Sequence, residues 1–223
     1  MPKTWQPQLI LQQATLAPGD EWSLHSTGWR MLCVQRGMGY WISPTLCKEF
    51  SQGQTLVLSP ASEGCLRGSQ IGEVELKYFM VDTKGQSGFF TLLESHLLEA
   101  SATQLKYREL ILNADHPVSA QLARVCELVP TQPAMATRGQ LLAVFASLFA
   151  GELPPMPVEF NGGGQAVDRF LRLIAQMSVA QFLECTTEDL AAVCGCSTRH
   201  LARMFQEHLG ASFKHKQIAL RER

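Results

Sequence analysis

Two arginines near the end of the chain are suited to contacts with nucleic-acid bases. Arg199 and Arg203 are four residues apart, so on a helix they would lie on the same face. A guanidinium group can donate two parallel hydrogen bonds to the major-groove edge of guanine. The small Ala202 between them would let the helix approach base edges closely. The pattern predicts a DNA-reading face formed by Thr198, Arg199, Ala202, Arg203 and Gln206. The alternative is the solvated face of a small helical bundle.

Local signals predict the helices that would hold this face. Thr186 and Asp189 have the spacing of a capping box, which favours a helix at about 187–194. Gly195 follows where a left-handed turn residue is needed, and glycine adopts that conformation without a Cβ penalty. Ser197 is a suitable N-cap for a second helix. The pattern predicts two short helices joined by a tight turn.

The second helix carries an apolar stripe opposite its arginines. Leu201, Met204, Phe205 and His208 recur at helical spacing and are expected to face a core. Two short helices, a glycine turn and a polar outer face are typical of a helix-turn-helix, which normally reads the DNA major groove.

This region resembles a known family of regulators over about residues 166–223. The runs that carry the resemblance are Thr-Thr-Glu-Asp-Leu-Ala from residue 186, Gly-Cys-Ser from 195, His-Leu-x-Arg-Met-Phe from 200 and Leu-Gly-x-Ser from 209. They are similar to the first helix-turn-helix of AraC/XylS-type transcription regulators. The resemblance implies that Arg199, Ala202 and Arg203 face bases, and that Ser197 and Thr198 lie near a phosphate.

The end of the chain departs from the family pattern. The family usually continues with Ser-Pro and an aromatic residue, whereas this chain has Ser212, Phe213 and then Lys216; Arg221 matches the family. A second helix-turn-helix is absent, and the sequence stops inside a helical pattern without a stop signal. Loss of a second unit is the favoured explanation, and a natural short form is the other.

The first eighty residues are predicted to form short strands separated by glycine turns. Strands are expected at 28–34, 40–42, 48–50, 55–58 and 73–81. Such a pattern favours a small β-barrel or sandwich. The run Arg-Gly-x-Gly from residue 36 and the run Gly-Gln-x-Leu-x-Leu-x-Pro from 53 also resemble the cupin-like sensor domain of AraC-type regulators.

The middle of the chain is predicted to be helical over 89–150. The segment 140–150 is apolar on most sides and must be covered. The resemblance implies dimerisation through it; burial against its own neighbours is the alternative. Prolines and three glycines at 151–165 indicate a linker.

Together these segments predict an α+β protein. A cupin-like β-barrel sensor domain is expected at 1–88, central helices at 89–150, a linker at 151–165 and an incomplete, all-α helix-turn-helix unit at 166–223.

Metal ligands are scarce in the predicted barrel. His25 is its one histidine, while cupin metal sites use several histidines with a carboxylate. Cys194 and Cys196 flank the turn glycine, where small apolar residues pack, and two thiols do not complete a zinc site. We expect no metal and no cofactor. The interior is expected to hold a small-molecule effector or nothing, with aromatic candidates at Trp22, Trp29, Tyr40, Trp41 and Tyr78.

Composition narrows the class of protein. The 223 residues are 46% hydrophobic and 17% charged, which is typical of a globular protein. Net charge is −1, yet residues 197–223 hold six basic and two acidic residues. Seven cysteines without a signal peptide favour reduced thiols in the cytoplasm, and no apolar run is long enough for a membrane span.

Three functions are compatible with these patterns. The first is a homodimeric regulator that binds double-stranded DNA specifically and responds to a small-molecule effector. The second is a truncated or decoy form that dimerises or binds ligand without productive DNA binding. The third is a metal-dependent cupin enzyme, which would require bound metal. We expect no enzymatic activity.

Overall fold

The computed structural model describes residues 9–23, 28–44, 46–83, 89–128, 132–151, 153 and 165–221. The chain divides into two compact units. The first comprises Met1–Asp82 and Ser101–Ala150, and the second comprises Thr83–Ala100 and Gly151–Arg223. The predicted linker at 151–165 lies almost wholly outside the described residues.

Nine strands are described, all of them in the first unit. They are β1 (Gln12–Leu16), β2 (Glu21–Ser23), β3 (Trp29–Arg36), β4 (Met38–Ile42), β5 (Cys47–Ser51), β6 (Thr55–Leu58), β7 (Cys65–Gly68), β8 (Val74–Val81) and β9 (Glu109–Leu112).

Nine helices are described across the two units. They are α1 (Leu92–Ala102), α2 (Leu105–Arg108), α3 (Pro117–Leu128), α4 (Ala134–Leu148), α5 (Ala166–Gln176), α6 (Val179–Glu184), α7 (Thr187–Cys194), α8 (Thr198–Leu209) and α9 (Phe213–Arg221).

The strands form two antiparallel sheets with one core between them. The five-stranded sheet has the order β1-β8-β3-β6-β9, and the four-stranded sheet has the order β2-β7-β4-β5. Apolar side chains from both sheets make up the core, among them Leu32, Leu56, Leu66, Leu76 and Trp41. Burial of this apolar area is the main force that holds the sheets together. With the helices, this arrangement confirms the predicted α+β class.

Strand β3 is buried on both faces because it lies between the second sheet and a layer of helices. Leu32 and Val34 belong to the core between the sheets. The alternate residues face the helices, where the Trp29 ring makes edge contacts with Phe145 and Phe149 at centroid distances of 6.1 and 5.0 Å. The apolar segment of α4 is thus covered, at least in part, by its own unit.

The sequence pattern was wrong at residues 109–112, which it placed in a helical segment. They form β9, which pairs with β6 in the register Leu56↔Ile111 and Leu58↔Glu109. Pairing along the open edge of a sheet satisfies backbone groups and overrides local helix preference. The strands β1, β2 and β7 were not predicted either.

The second unit is helical and includes a segment from much earlier in the chain. The Leu92 N–H, at the start of α1, donates to the Met177 carbonyl at 2.8 Å. Leu92 is fully buried in the same core as the α5–α9 helices. Residues 89–100 therefore belong to the helical second unit. Among the described residues no helix is both long and apolar enough to cross a membrane.

Candidate nucleic-acid interface

Helix α7 begins at a complete capping box. The Asp189 N–H donates to Thr186 Oγ1 at 3.1 Å, and the Thr186 N–H donates to Asp189 Oδ2 at 2.9 Å. These hydrogen bonds satisfy N–H groups that have no partner within the helix. Hydrogen bonds from Thr186 also lower the pKa of the Asp189 carboxyl. The predicted start of the helix is confirmed.

The turn between α7 and α8 depends on Gly195. Its φ of 61° and ψ of 44° lie in the left-handed region. Arg169 on α5 supports this turn, because its Nε donates to the Cys194 carbonyl at 2.8 Å. A Cβ at Gly195 would lie 3.0 Å from the Arg169 guanidinium. Backbone conformation and this tight approach both favour glycine.

Helix α8 is capped at its start and packed along one side. Ser197 Oγ accepts from the His200 N–H at 3.3 Å. Leu201, Met204 and Phe205 are fully buried, as predicted. His208 is only half-buried beside Phe170, and Leu209 takes the fourth core position instead. The apolar side of the helix is rotated slightly from the predicted one.

The other side of α8 is open to solvent. The structure exposes the five residues of the predicted DNA-reading face and Ser197, the residue expected near a phosphate; together they are Ser197, Thr198, Arg199, Ala202, Arg203 and Gln206. We call these six residues the α8 outer face. None of these six residues is part of the buried core of the helical unit.

The two arginines of the α8 outer face differ in their partners. Arg203 Nε lies 3.6 Å from Glu207 Oε1, with both side chains more than half exposed. Gln206 Nε2 donates to the Gly210 carbonyl at 3.3 Å. Arg199 makes no ion pair or side-chain hydrogen bond with any described residue. Glu207 was not among the predicted site residues, although its spacing from Arg203 is a signal for such a pair.

Helix α9 stabilises the helix-turn-helix by donating side-chain hydrogen bonds to the end of α6. Gln217 Nε2 donates to the Phe182 and Cys185 carbonyls at 3.1 and 3.0 Å, and Arg221 donates to the Leu183 carbonyl at 3.1 Å. These carbonyls lie at the end of α6, where they have no partner within the helix. The side chains of α9 thus supply a C-terminal cap for α6.

Four phenylalanines form the centre of this helical unit. The rings of Phe170, Phe182, Phe205 and Phe213 pack with centroid distances between 5.1 and 5.8 Å, mostly edge to face. Such aromatic packing buries large apolar areas with defined geometry. Phe205 contacts the other three, so it fixes the position of α8.

The two cysteines beside the turn contribute to the packing of the helical core. Cys194 is fully buried, and burial raises the pKa of its thiol to about 11. Cys196 is partly buried against the same core. Among the described residues no group of three or more histidine, cysteine or acidic side chains is placed to hold a metal ion; His25 lies outside the described residues.

The aromatic candidates for an effector pocket are divided between two places. Trp22, Trp41 and Tyr78 lie in or against the core between the sheets. Trp29 instead faces the helices, and Tyr40 is half-buried outside that core. The alternation of side chains along each strand accounts for this division. Only the first three share one environment.

Comparison with known proteins shows similarity in structure only. No model of a known protein family matches the sequence, and no curated protein sequence matches it. The crystal structure of ToxT from Vibrio cholerae O395 is 11% identical, with a TM-score of 0.42, over 95% of this chain and 97% of ToxT. YhaK from Escherichia coli is similar over 47% of this chain and 41% of YhaK, at 14% identity and a TM-score of 0.35. The AraC-like transcriptional activator CuxR is 13% identical, with a TM-score of 0.44, over 95% of this chain and 76% of CuxR.

Proposed function

We propose that this chain is a sequence-specific, DNA-binding transcription regulator of the AraC type. The observation that carries the proposal is the α8 outer face, which presents two arginines and a small alanine on a capped helix. In this arrangement α8 enters the major groove, where Arg199, Ala202 and Arg203 meet base edges. Ser197 and Thr198, at the start of the helix, meet a phosphate, because helix N-termini favour anions. Gln206 lies one turn further along.

Arg199 is the side chain best prepared for base contact. It has no partner among the described residues, so no interaction within the protein must be broken before it binds. Arg203 would exchange its exposed pair with Glu207 for a DNA contact, and exposed pairs of this kind are worth only about 0–1 kcal/mol. Lys214, which is exposed on α9, adds attraction for the phosphate backbone.

We further propose that the two-sheet unit binds a small-molecule effector and that the regulator works as a homodimer. We propose no catalytic activity and no metal cofactor. The state of association is tested by sedimentation velocity of the full chain with and without DNA. If the chain sediments as a monomer at every concentration, the proposed homodimer is wrong.

The DNA-binding proposal is tested with duplexes enriched by the protein from a random-sequence pool. Fluorescence anisotropy of the full chain should give at least the non-specific affinity of a single helix-turn-helix, a Kd of about 10⁻⁴–10⁻⁶ M. Arg199→Ala should weaken binding to the enriched sequence by about 1–3 kcal/mol and binding to unrelated sequences much less.

The matched control is Arg124→Ala, since Arg124 is an exposed arginine on α3 in the first unit. It should leave both affinities unchanged. Equal weakening of all sequences by Arg199→Ala would reassign Arg199 to a phosphate. No binding at low salt by a folded protein would overturn the proposed function.

A further inference from the structure

Two cysteines of the first unit are in contact between β3 and α3. Cys33 lies on β3 and Cys126 lies in the last turn of α3, and each is only 1% exposed. Cys33 alternates with Leu32 and Val34, so it lies on the face of β3 that meets the helices. The Cys126 thiol donates a hydrogen bond to the Cys33 sulfur. Both are free cysteines.

A lysine holds the end of α3 next to Cys33. Lys77 on β8 is the register partner of Cys33, and such partners lie on the same face of a sheet. Lys77 Nζ donates to the Cys126 carbonyl at 2.9 Å. This carbonyl is one of the last four of α3, which have no partner within the helix. Because Lys77 lies beside one cysteine and binds the backbone of the other, it positions the two thiols against each other.

The surroundings of Cys33 favour its thiolate. The hydrogen bond from Cys126 lowers the pKa of the Cys33 thiol, burial opposes this shift, and a hydrogen bond from Gln35 and the charge of Lys77 lower the pKa further. The Gln35 contact joins Nε2 to Cys33 Sγ at 3.2 Å. The pKa of Cys126 is raised, because its thiol donates to Cys33 and is buried. The thiolate is the nucleophile in thiol oxidation, so Cys33 attacks first and Cys126 resolves.

The position of Cys126 near a helix end gives a small oxidant access to the pair. Cys126 lies in the last turn of α3 (Pro117–Leu128). Helix ends open locally at a lower free energy than buried helix centres. Opening of this turn uncovers both sulfurs. Hydrogen peroxide is small and uncharged, so it needs no charged partner in order to enter.

We propose that Cys33 and Cys126 form a reversible disulfide when the chain is exposed to hydrogen peroxide. The Cys33 thiolate attacks one peroxide oxygen, the O–O bond breaks, and the leaving hydroxide takes a proton to become water. Cys33 is then a sulfenic acid. The Cys126 sulfur attacks the Cys33 sulfur, an S–S bond replaces the S–O bond, and the hydroxyl group leaves as water with the Cys126 proton. Two thiols are oxidised to one disulfide, and one peroxide is reduced to two waters.

The disulfide changes the stability of the first unit. It ties the end of α3 to β3, the central strand of the five-stranded sheet. The two cysteines are far apart in the sequence, and a cross-link that closes a long loop lowers the conformational entropy of the unfolded chain. The oxidised first unit is therefore more stable than the reduced one. This inference goes beyond the proposed DNA binding and does not depend on it.

The main experiment maps the disulfide in the full chain. The reduced protein is treated with hydrogen peroxide, alkylated with N-ethylmaleimide in denaturant and digested for mass spectrometry. The expected product joins the peptide of Cys33 to that of Cys126, and the exposed Cys47 is joined to neither. Thermal unfolding is followed by tryptophan fluorescence, since all four tryptophans lie in the first unit. Oxidation should raise the Tm by about 10 °C, and dithiothreitol should reverse the rise.

Variants separate the roles of the two thiols. Oxidised Cys126→Ala should keep a sulfenic acid at Cys33 that dimedone labels, whereas oxidised Cys33→Ala should carry no label at Cys126. Lys77→Met should slow disulfide formation about tenfold, because loss of the ammonium lowers the thiolate fraction at Cys33. Lys48→Met is the matched control, since Lys48 is exposed on β5, and it should react at the rate of the parent.

The proposal is wrong if Cys33 and Cys126 both still react with N-ethylmaleimide after peroxide treatment, because they then only pack the core. It is also wrong if either is joined to another cysteine, or if oxidation gives no reversible rise in Tm. A dimedone label at Cys126 in Cys33→Ala, or a parent-like rate in Lys77→Met, would overturn the assignment of Cys33 as the attacking thiol. The mapping uses the parent chain, so it does not depend on the folding of any variant. No DNA is present, so these outcomes are separate from failure of the proposed DNA binding.

Discussion

Lys216 Nζ lies 3.2 Å from Glu99 Oε2, and the two side chains are only 8% and 18% exposed. The pair joins α9, which supports the helix-turn-helix, to α1, which comes from a distant part of the sequence. Both residues belong to the second unit. Removing one member of a buried pair leaves the other charge without compensation.

We therefore expect Glu99→Gln to destabilise the helical unit by about 3 kcal/mol. The remaining Lys216 ammonium would be buried without a counter-charge. Adding Lys216→Met should recover most of the loss, since a neutral pair of similar volume has no charge to desolvate. Urea unfolding followed by far-ultraviolet circular dichroism compares these two variants with the parent protein.

An exposed ion pair provides the control. Arg36 Nη1 lies 3.7 Å from Glu75 Oε1 with side chains 78% and 36% exposed. Glu75→Gln should change the free energy of unfolding by less than about 1 kcal/mol. If Glu99→Gln costs no more than Glu75→Gln, the Lys216–Glu99 pair does not hold α1 in place.

The left-handed glycines on either side of α8 allow a second prediction. Gly195 has φ 61° and Gly210 has φ 66°. A Cβ at Gly195 meets the Arg169 guanidinium at 3.0 Å, whereas one at Gly210 meets nothing within 4 Å. Gly210→Ala should cost about 1–2 kcal/mol from backbone conformation alone. Gly195→Ala should cost more, by the free energy of displacing Arg169 from the Cys194 carbonyl. Equal decreases in stability of the two variants, measured by thermal unfolding, would show that the contact of Arg169 with the Cys194 carbonyl does not contribute to stability.

The parts of this fold that obey local rules were predictable from the sequence. The Thr186–Asp189 capping box, the Gly195 turn and the Ser197 cap each follow from residue type and short spacing, and each is found. The predicted strand over 55–58 has the bounds of β6. Local signals reach three or four residues, which suffices for caps and turns.

What escaped prediction depends on contacts between distant segments. The strand at 109–112 forms because it pairs with the edge of β6. Leu92, at the start of α1, packs with helices far along the chain. Arg203 and Glu207 have a helical spacing that favours a pair, yet spacing does not decide whether either side chain has another partner.

The Arg203–Glu207 pair gives a prediction about DNA affinity. Glu207→Gln removes a negative charge next to the α8 outer face and frees Arg203. Affinity for duplex DNA should rise by about two- to tenfold, because the carboxylate no longer repels phosphates or competes for the guanidinium. Fluorescence anisotropy at fixed salt measures the change.

Glu127→Gln is the matched control for that prediction. Glu127 is an exposed glutamate on α3 in the first unit. The substitution makes the same change in net charge, so it should leave DNA affinity nearly unchanged. If both variants raise affinity equally, the effect comes from net charge and Arg203 does not face DNA.

His96 makes the stability of the helical unit depend on pH. Burial lowers its pKa below 6.5, the nearby Lys216 lowers it further, and Glu99 partly opposes the shift. As pH falls below about 6.5, the unfolded chain takes up a proton at this histidine before the folded protein does. The contribution of His96 to the free energy of unfolding should therefore be constant near neutral pH. The free energy of unfolding should decrease as pH falls below about 6.5. His96→Gln should flatten this decrease between about pH 7.5 and 5.5 in urea unfolding. His215→Gln replaces an exposed histidine of the same unit and should keep the parent's pH dependence. A parent-like slope in His96→Gln would mean that other groups cause the decrease, and that His96 is not held in its neutral form by burial beside Lys216.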